Sequence, residues 1–247
     1  MLTTDTISVN GYPVPVLLEL SGGESLVVLI SHGFTGSRNS SSAAMAARTF
    51  AEHGIGSIRF DFPSHGDNPM PLRIENCLDT IAAVEAYLHQ KAPQAEIVYF
   101  STSFGGYMNL IYCTQRPHLG HRSLLRCAAV HMPQTLQDIL SAEQKEILSR
   151  EGTLSLTIEE IYSVVITDGF LEDLAQHDVF SLFSPPSSDR FHMIHGTDDD
   201  TVHFSEAQAF SEQFQLPLTA ISGAGHDFKG PGEMEALLAE TIAFFLA

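Results

Sequence analysis

The chain has 247 residues, enough for one large α/β domain that buries its own core without disulfide bridges. Hydrophobic residues make up 44% of it and charged residues 17%, which excludes disorder along most of its length. The formal net charge of −18 argues against nucleic acid or an anionic membrane face as a partner, because both would be repelled.

The predicted strands begin with an antiparallel hairpin. Residues 6–9 and 14–20 flank Asn10-Gly11, a dipeptide that favours a tight hairpin turn. The continuous apolar run at residues 26–30 then predicts a strand covered on both faces, as in a parallel sheet. Further strands are predicted at residues 55–60, 97–100, 125–130, 191–194 and 218–221.

Helical patterns alternate with these strands. The apolar residues between Ile74 and Leu88 recur at three- and four-residue steps, which places them on one stripe of a helix. This alternation predicts a doubly wound α/β sheet. Four other segments have helix-compatible composition: residues 42–52, 104–115, 203–214 and 232–246.

One interval between predicted strands is longer than an ordinary crossover requires. It is predicted to hold a helix over residues 134–150, a hairpin formed by residues 153–156 and 162–167, a helical piece over 170–174 and a linker over 184–188. We interpret residues 134–189 as a cap (lid) inserted into a core formed by residues 1–133 and 190–247.

The three cysteines and the first residues of the sequence indicate in which cellular compartment the protein is expected. Cys77, Cys113 and Cys127 fit neither a disulfide framework nor a zinc pattern, and we expect them to be buried in a reducing compartment. No basic region followed by an apolar stretch is visible near Met1, so no signal peptide is expected. The longest aliphatic run is too short to span a bilayer. We therefore expect a soluble, cytoplasmic protein.

Ser103 stands between an apolar strand and a predicted helix. Ser101 and Gly105 lie two residues before and after it, where a sharp strand-to-helix turn requires small side chains. The usual pattern has glycine at the first of these positions, so Ser101 is a departure. If Ser101 were the nucleophile instead, Tyr99 would occupy a position that has no room for it. Ser103 is therefore the candidate nucleophile.

Two backbone N–H groups are candidates for binding a developing oxyanion. Phe34 follows His32-Gly33 in a turn after the strand at residues 26–30, and the turn can aim the Phe34 N–H at the site. Phe104 comes directly after the candidate nucleophile, at the positive end of the following helix. The alternative is that the glycine turn merely reverses the chain.

The candidate acid belongs to a run of three aspartates after a late strand. We choose Asp199 because it stands three residues after Gly196 and three before Val202. Asp198 and Asp200 are then expected to be solvated or to cap a helix.

His226 is the candidate base, since a glycine-rich loop after the last strand can bring its imidazole back over the strand ends. A metal site that combines the aspartates with His192 and His195 is disfavoured, because strand positions three apart face opposite sides. No metal and no cofactor is predicted.

In this arrangement the chain resembles the α/β-hydrolase superfamily, whose triad runs in the order Ser, Asp, His. Ser103, Asp199 and His226 have that order, and each follows a predicted strand. The resemblance covers essentially the whole chain. It implies an α/β-hydrolase fold with a mostly parallel eight-stranded sheet, helices on both faces and a small cap.

A further turn, at residues 60–67, is similar to the family's Asp-x-x-Gly-His-Gly turn, with Ser64 in place of a glycine. By this resemblance His65 and Asp67 support the oxyanion loop rather than react. Within the superfamily the chain looks most similar to bacterial carboxylesterases of the feruloyl/cinnamoyl esterase type. A haloalkane dehalogenase is disfavoured, since its nucleophile would be an aspartate at position 103.

The resemblance implies a serine carboxylesterase that hydrolyses small to medium carboxylic esters, aryl and hydroxycinnamoyl esters included, through an acyl-serine intermediate. Its expected partner is a small-molecule ester, with no nucleic acid and no membrane. A serine peptidase or acylaminoacyl hydrolase and a non-catalytic small-ligand binding protein of the same fold stay open as alternatives. A homodimer also stays open. Residues 134–189 hold eleven acidic and two basic residues, so we expect the substrate entrance to disfavour anionic esters.

Overall fold

A computed structural model describes residues 1–158, 162–184, 187 and 190–247. Eight strands form its main sheet, and a separate pair of strands lies between the sixth and seventh of them. The strands are β1 (Leu2–Val9), β2 (Tyr12–Glu19), β3 (Leu26–Ser31), β4 (Gly56–Phe60), β5 (Glu96–Thr102), β6 (Gly120–Arg126), β7 (Thr153–Ile158), β8 (Tyr162–Thr167), β9 (Phe191–Gly196) and β10 (Leu218–Ile221).

The main sheet has the order β1-β2-β4-β3-β5-β6-β9-β10. β2 pairs antiparallel with both β1 and β4, and every other neighbouring pair in this sheet is parallel. The hairpin between β1 and β2 turns at Asn10 and Gly11, whose φ angles are 52° and 83°. Two positive φ angles are what a tight hairpin turn requires, so this part of the prediction is confirmed.

Helices cover both faces of the sheet, as predicted. β3 shows why both faces are apolar: Val27 and Leu29 belong to the core on one face, whereas Val28 and Ile30 belong to the core on the other. The covering helices outside the segment between β6 and β9 are α1 (Ser41–Glu52), α2 (Ile74–Lys91), α3 (Phe104–Gln115), α8 (Phe204–Phe214) and α9 (Glu233–Leu246). Within the described ranges, no helix combines the length and apolar character that a bilayer crossing requires.

We call the residues between β6 and β9 the β6–β9 segment; its described residues contain four helices and the β7–β8 hairpin. The helix predicted over residues 134–150 is in fact two helices that meet at Leu140 and Ser141. Ser141 starts the second: its Oγ accepts the N–H of Gln144 at 3.2 Å, and the Gln144 side chain accepts the Ser141 N–H at 2.9 Å. The four helices are α4 (Met132–Ile139), α5 (Ala142–Glu151), α6 (Asp168–Gln176) and α7 (Val179–Leu182).

Parts of two predicted features in this segment lie outside the described residues. These are the middle of the hairpin connection, residues 159–161, and most of the linker, residues 185–186 and 188–189. The hairpin strands on either side are described, and they pair antiparallel from Thr153↔Thr167 onward.

β6 lies earlier in the chain than predicted. The sequence pattern placed this strand at residues 125–130, but β6 ends at Arg126 and the chain turns at Cys127, where φ is 44°. Residues 127–130 are buried in a loop beneath the start of α3, and the Ala129 N–H donates to the Ser103 carbonyl at 3.1 Å. Their apolar character therefore reflects burial beside the candidate nucleophile and not strand pairing.

Candidate active site

Ser103 occupies the sharp turn between β5 and α3. Its backbone has φ 52° and ψ −114°, a combination that is costly for any residue with a side chain. Three hydrogen bonds hold this backbone: the Ser103 N–H donates to the Arg126 carbonyl at 2.9 Å, and the Ser103 carbonyl accepts the N–H groups of Tyr107 at 3.0 Å and Ala129 at 3.1 Å. The turn thus fixes Ser103 at the edge where the parallel strands end.

The two small neighbours of the turn differ in how tightly they are confined. A Cβ at Gly105 would lie 2.7 Å from the His32 carbonyl oxygen and 2.8 Å from that of Ser31, so this position has no room for a side chain. Ser101, two residues before the nucleophile, is fully buried, and its Oγ has no hydrogen-bond partner among the described residues. A serine therefore fits where the usual pattern has glycine, but its hydroxyl gains nothing there.

Replacing Gly105 by alanine should destabilise the fold. The added methyl group would meet backbone carbonyls of the neighbouring turn, which cannot move without shifting β3, so we expect a loss of about 1–3 kcal/mol in the free energy of unfolding. Urea unfolding measures this loss. Gly225→Ala is the matched control, because its Cβ would meet only the Asp198 carbonyl oxygen at 3.9 Å. Equal unfolding midpoints for the two variants would contradict the tight turn.

Asp199 and His226 are joined by a hydrogen bond, with 2.7 Å between Oδ2 and Nδ1. Oδ1 of Asp199 accepts the N–H groups of Thr201 at 3.0 Å and Val202 at 2.8 Å, and Oδ2 also lies 3.1 Å from Nε2 of His195. Burial alone would raise the pKa of Asp199, but the hydrogen bonds from His195 and His226 outweigh it and hold that pKa well below its ordinary value. An ionised carboxylate only accepts hydrogen bonds, so Nδ1 of His226 carries a proton and Nε2 is left as the basic nitrogen.

Ser103 and His226 line the same two cavities. One cavity, of about 520 Å³, lies against the start of α1 and the loop after His226; we call it the α1-side cavity. The other, of about 460 Å³, lies against α4 and β7; we call it the β7-side cavity. Among the described residues no hydrogen bond joins Ser103 Oγ to His226, and such bonds commonly tighten only when substrate is bound.

Phe34 and Phe104 flank the nucleophile with unused backbone donors. Neither N–H donates to a protein acceptor within the described part of the chain. The two rings contact each other edge to face, with 5.8 Å between their centroids. Gly33 brings the Phe34 turn close, since a Cβ at Gly33 would lie 3.3 Å from the Ser103 Cβ. Both predicted oxyanion donors therefore lie beside Ser103.

His32 and Asp61 fix the turn that carries Phe34. His32 is buried and uses both ring nitrogens: Nδ1–H donates to the Gly33 carbonyl at 2.8 Å, and Nε2 accepts the Phe62 N–H at 3.0 Å. The buried Asp61 carboxylate accepts the Arg38 N–H at 2.7 Å and also pairs with the Arg38 guanidinium. These bonds tie the Phe34 turn to the segment after β4.

His65 and Asp67, predicted to support this turn, lie next to it. The His65 ring is buried, with its centroid 5.5 Å from that of Phe34 and 6.1 Å from that of Phe104. The Asp67 carboxylate accepts from the Arg38 guanidinium at 2.6 Å, and the Asp67 N–H donates to Asp61 at 3.0 Å. His65 thus packs behind both candidate oxyanion donors.

Comparison with known proteins agrees with this architecture. A family profile described as the alpha/beta hydrolase fold matches residues 27–144, a little under half of the chain. No curated protein sequence matches the chain. The chain is similar to the solved structure of Est1E from Butyrivibrio proteoclasticus bound to ferulic acid, with 18% identity, 98% of each chain covered and a TM-score of 0.81.

Two other solved structures are similar over nearly the whole length. A protein from Agrobacterium vitis S4 has 18% identity, 99% coverage of each chain and a TM-score of 0.80. An α/β serine hydrolase without a lid from Xanthomonas campestris has 17% identity and a TM-score of 0.70, with 98% of this chain and 93% of that chain covered. The chain has the α/β-hydrolase fold. The fold implied by the sequence resemblance is therefore confirmed.

The α/β-hydrolase fold brings the five predicted site residues to one edge of the sheet, but it separates the neighbouring aspartates from them. Asp198 accepts the Thr197 hydroxyl at 3.0 Å, and Asp200 is exposed. Of the three adjacent carboxylates, the one that contacts His226 is Asp199.

Sequence reasoning missed two residues of this candidate site. His195 was considered only as a metal ligand, yet it is fully buried, and its Nε2–H is shared between Asp199 and the Val202 carbonyl at 2.8 Å. His192 instead pairs with the Thr219 hydroxyl at 2.8 Å. Arg126, whose side chain donates to the His226 carbonyl, was not singled out. His195 directly follows the strand predicted at residues 191–194, but the strand predicted at residues 125–130 placed Arg126 near its start, so the pattern gave no signal for Arg126.

Among the described residues, one group has the composition and spacing to bind a metal ion: Cys127, Asp199 and His226. The Cys127 Sγ, an Asp199 oxygen and a His226 nitrogen all lie within 4.8 Å of one another, a donor set that Zn²⁺ accepts. A cation there would take the place of the proton between Asp199 and His226. Such a metal would block the acid–base pair, so this group does not argue for a catalytic metal.

The two buried histidines beside the Phe34 turn, His32 and His65, should make the fold sensitive to acid. Burial lowers the pKa of His32 to about 4, and burial together with the neighbouring His32 lowers the pKa of His65 to about 3. Between the ordinary value of 6.5 and these values, the unfolded chain binds more protons than the folded chain. Stability must therefore fall as the pH falls through this window.

We expect the free energy of unfolding to drop by about 2 kcal/mol per buried histidine between about pH 7.5 and pH 5. Urea unfolding at several pH values measures the slope. His65→Gln should flatten it, whereas His53→Gln, at an exposed position on the end of α1, should leave it unchanged. Identical slopes for the wild type and His65→Gln would contradict a neutral, buried His65.

Proposed function

We propose that this protein is a serine hydrolase that cleaves carboxylic esters through an acyl-serine intermediate. The observation that carries the proposal is the 2.7 Å hydrogen bond between Asp199 and His226 beside a serine held in a strained turn. Strain of this kind persists where the surrounding structure enforces it and is common at sites of reaction.

Each group has a defined step in the proposed reaction. His226 Nε2 takes the proton of the Ser103 hydroxyl as Oγ attacks the ester carbonyl. Asp199 holds the proton on Nδ1 and stabilises the imidazolium that forms. The imidazolium then gives its proton to the departing alcohol. In the second half, His226 removes a proton from water as the water oxygen attacks the acyl-serine. The imidazolium then returns this proton to Ser103 Oγ as the bond from Oγ to the acyl carbon breaks, and the carboxylic acid is released.

The negative charge that develops on the carbonyl oxygen requires donors already in place. The N–H groups of Phe34 and Phe104 have no protein acceptor among the described residues, and the second begins α3, where the helix dipole favours negative charge. Their supporting shell, the buried His65 and the paired Asp61, restricts movement of the Phe34 turn. These features favour acyl transfer over mere ligand binding.

We further propose that the β6–β9 segment acts as the cap and that the β7-side cavity receives an apolar part of the substrate. Met132, Ile139, Leu140 and Leu156 line this cavity from the segment, which suits an alkyl chain or an aromatic ring. Est1E, which shares the fold, is seen with ferulic acid bound. Hydroxycinnamoyl esters are therefore included with simple aryl and alkyl esters as proposed substrates.

The test is hydrolysis of a p-nitrophenyl ester series and one hydroxycinnamate ester, together with labelling by a fluorophosphonate probe. We expect turnover of esters and a single labelled peptide that contains Ser103. Matched p-nitroanilides separate an esterase from a peptidase, which would cleave both. Absence of turnover and of labelling would overturn the proposal and favour a non-catalytic binding protein.

A further inference from the structure

The α1-side cavity contains a buried arginine next to the candidate nucleophile. Arg126, the last residue of β6, is 2% exposed and lines this cavity together with Ser103 and Thr102. Fully buried arginines in proteins are normally paired with a carboxylate. Within the described ranges Arg126 forms no contact ion pair, so no carboxylate touches its guanidinium.

Most of the donors of this guanidinium are unused. A guanidinium has five N–H donors, but the hydrogen bond it makes to a described residue is the one from Nη2 to the His226 carbonyl, at 3.0 Å. Nε is buried without any acceptor. The guanidinium carbon lies 5.1 Å from the centroid of the Phe228 ring, which holds the side chain in place. The side chain is thus fixed while its hydrogen-bonding capacity is left open.

The other charges around the cavity compensate Arg126 only in part. The carboxylates of Asp227 and Asp199 favour its charged form, but neither forms an ion pair with the guanidinium. Asp227 pairs with Lys229 at 2.5 Å, and Glu235 is exposed. Asp199 receives its hydrogen bonds from its own histidines and backbone. The opposite wall is the start of α1, which has no acidic residue in its first turn and so presents the positive end of the helix dipole.

We propose that the α1-side cavity binds a carboxylate of the substrate and that Arg126 recognises it. The inference rests on the esterase function proposed above and adds the substrate class to it. In the sheet, the backbone of Arg126 lies opposite that of Thr102 on the adjacent strand, and neighbouring strands are roughly 4.8 Å apart. Ser103 directly follows Thr102. Because Arg126 and Ser103 also line the same cavity of about 520 Å³, a short substrate that reaches both has its carboxylate only a few bonds from the scissile carbonyl. Half-esters of short dicarboxylic acids and esters of short hydroxy acids have this form.

The acidic β6–β9 segment does not oppose this assignment. The described residues through which it lines the β7-side cavity are uncharged. Its acidic side chains at Asp138, Glu143 and Glu172 are exposed on the outside of the molecule. For short esters whose charged arm enters the α1-side cavity, the proposal predicts the opposite of the preference expected from the acidity of residues 134–189.

The experiment compares anionic esters with neutral isosteres. Monoethyl succinate against ethyl levulinate tests a carboxylate on the acyl side, and carboxymethyl butyrate against acetonyl butyrate tests one on the alcohol side. We expect the wild type to prefer the anionic member in at least one pair, by kcat/KM in a pH-stat assay. Arg126→Gln should lower that preference about 10- to 100-fold, and Arg126→Lys should keep part of it.

Arg122→Gln is the matched control. Arg122 lies on the same strand, donates to the Phe245 carbonyl at 2.9 Å and stands 5.9 Å from the centroid of the Phe244 ring, but it does not line the α1-side cavity. Its loss should leave the preference unchanged. If Arg126 only positioned His226, Arg126→Gln would slow both members of each pair equally, and that result would overturn the proposal.

A measurement on the wild type keeps the proposal testable should Arg126→Gln not fold. Glutarate should slow fluorophosphonate labelling of Ser103, and heptane-2,6-dione, its neutral isostere without an ester bond, should not at the same concentration. No preference in either ester pair and no protection by glutarate would overturn the carboxylate site while ester turnover persists. Loss of the proposed function itself has a different outcome, namely no turnover of any ester and no labelling.

Discussion

Ser103→Ala is expected to lower kcat/KM for p-nitrophenyl esters by about 10³- to 10⁶-fold, with no change in the urea midpoint beyond what a small substitution causes. The Ser103 hydroxyl makes no hydrogen bond among the described residues, and three backbone hydrogen bonds hold the turn without it. Removing Oγ therefore removes the nucleophile and leaves the fold. The fluorophosphonate probe should no longer label the variant.

Ser101→Ala is the control for this experiment, because it removes the other serine of the turn. The Ser101 hydroxyl is fully buried and has no partner among the described residues, so its loss should leave labelling intact. If Ser103→Ala were labelled at the wild-type rate, or if Ser101→Ala lost its label, the nucleophile would be assigned to the wrong serine.

Asp199→Asn should have the second largest effect, a loss of about 10³- to 10⁴-fold in kcat. The amide carries no charge to stabilise the imidazolium of His226, and its NH₂ group can donate to the ring and favour the wrong tautomer. The fold should survive, because an amide oxygen can still accept the N–H groups of Thr201 and Val202.

Asp198→Asn and Asp200→Asn are matched controls in the same loop. Neither carboxylate contacts His226, and both changes remove one negative charge near the site, so they report the effect of charge alone. We expect each to alter kcat by about twofold at most, as is usual for exposed charges. A larger loss at either position than at Asp199 would show that the acid of the triad had been misassigned.

Local patterns in the sequence were sufficient to predict most of the fold. The alternation of apolar runs with helical stripes identified eight strands and their order along the chain, and Asn10-Gly11 identified the first hairpin. The two errors, the strand predicted at residues 125–130 and the single helix predicted at residues 134–150, arose where an apolar pattern reports burial but does not determine the secondary structure. Residues 127–130 are apolar because they pack under the nucleophile turn, and α4 and α5 share one helical periodicity although Ser141 breaks it.

The candidate site was predictable to the extent that its residues follow strands. Ser103, Asp199 and His226 each lie in the turn or loop that follows a strand, and parallel strands bring their carboxyl ends together. Arg126 and His195 were not predictable in this way, since their partners come from other loops: the His226 carbonyl for one and the Asp199 carboxylate for the other. Contacts between distant loops leave no periodic trace in one sequence.

The pairing of β6 with β9 has an evolutionary consequence. The two strands that bracket the β6–β9 segment are parallel neighbours in the sheet, paired from Ser123↔Phe191 to Arg126↔Ile194. The segment therefore leaves at the carboxyl end of one strand and returns at the amino end of the strand beside it, and no other strand of the sheet lies between them. Its length and sequence can change without altering the register of the strands that carry Ser103 and Asp199. Selection can therefore exchange one contiguous stretch of chain, and with it the wall of the β7-side cavity, while the candidate site residues on the core are inherited unchanged.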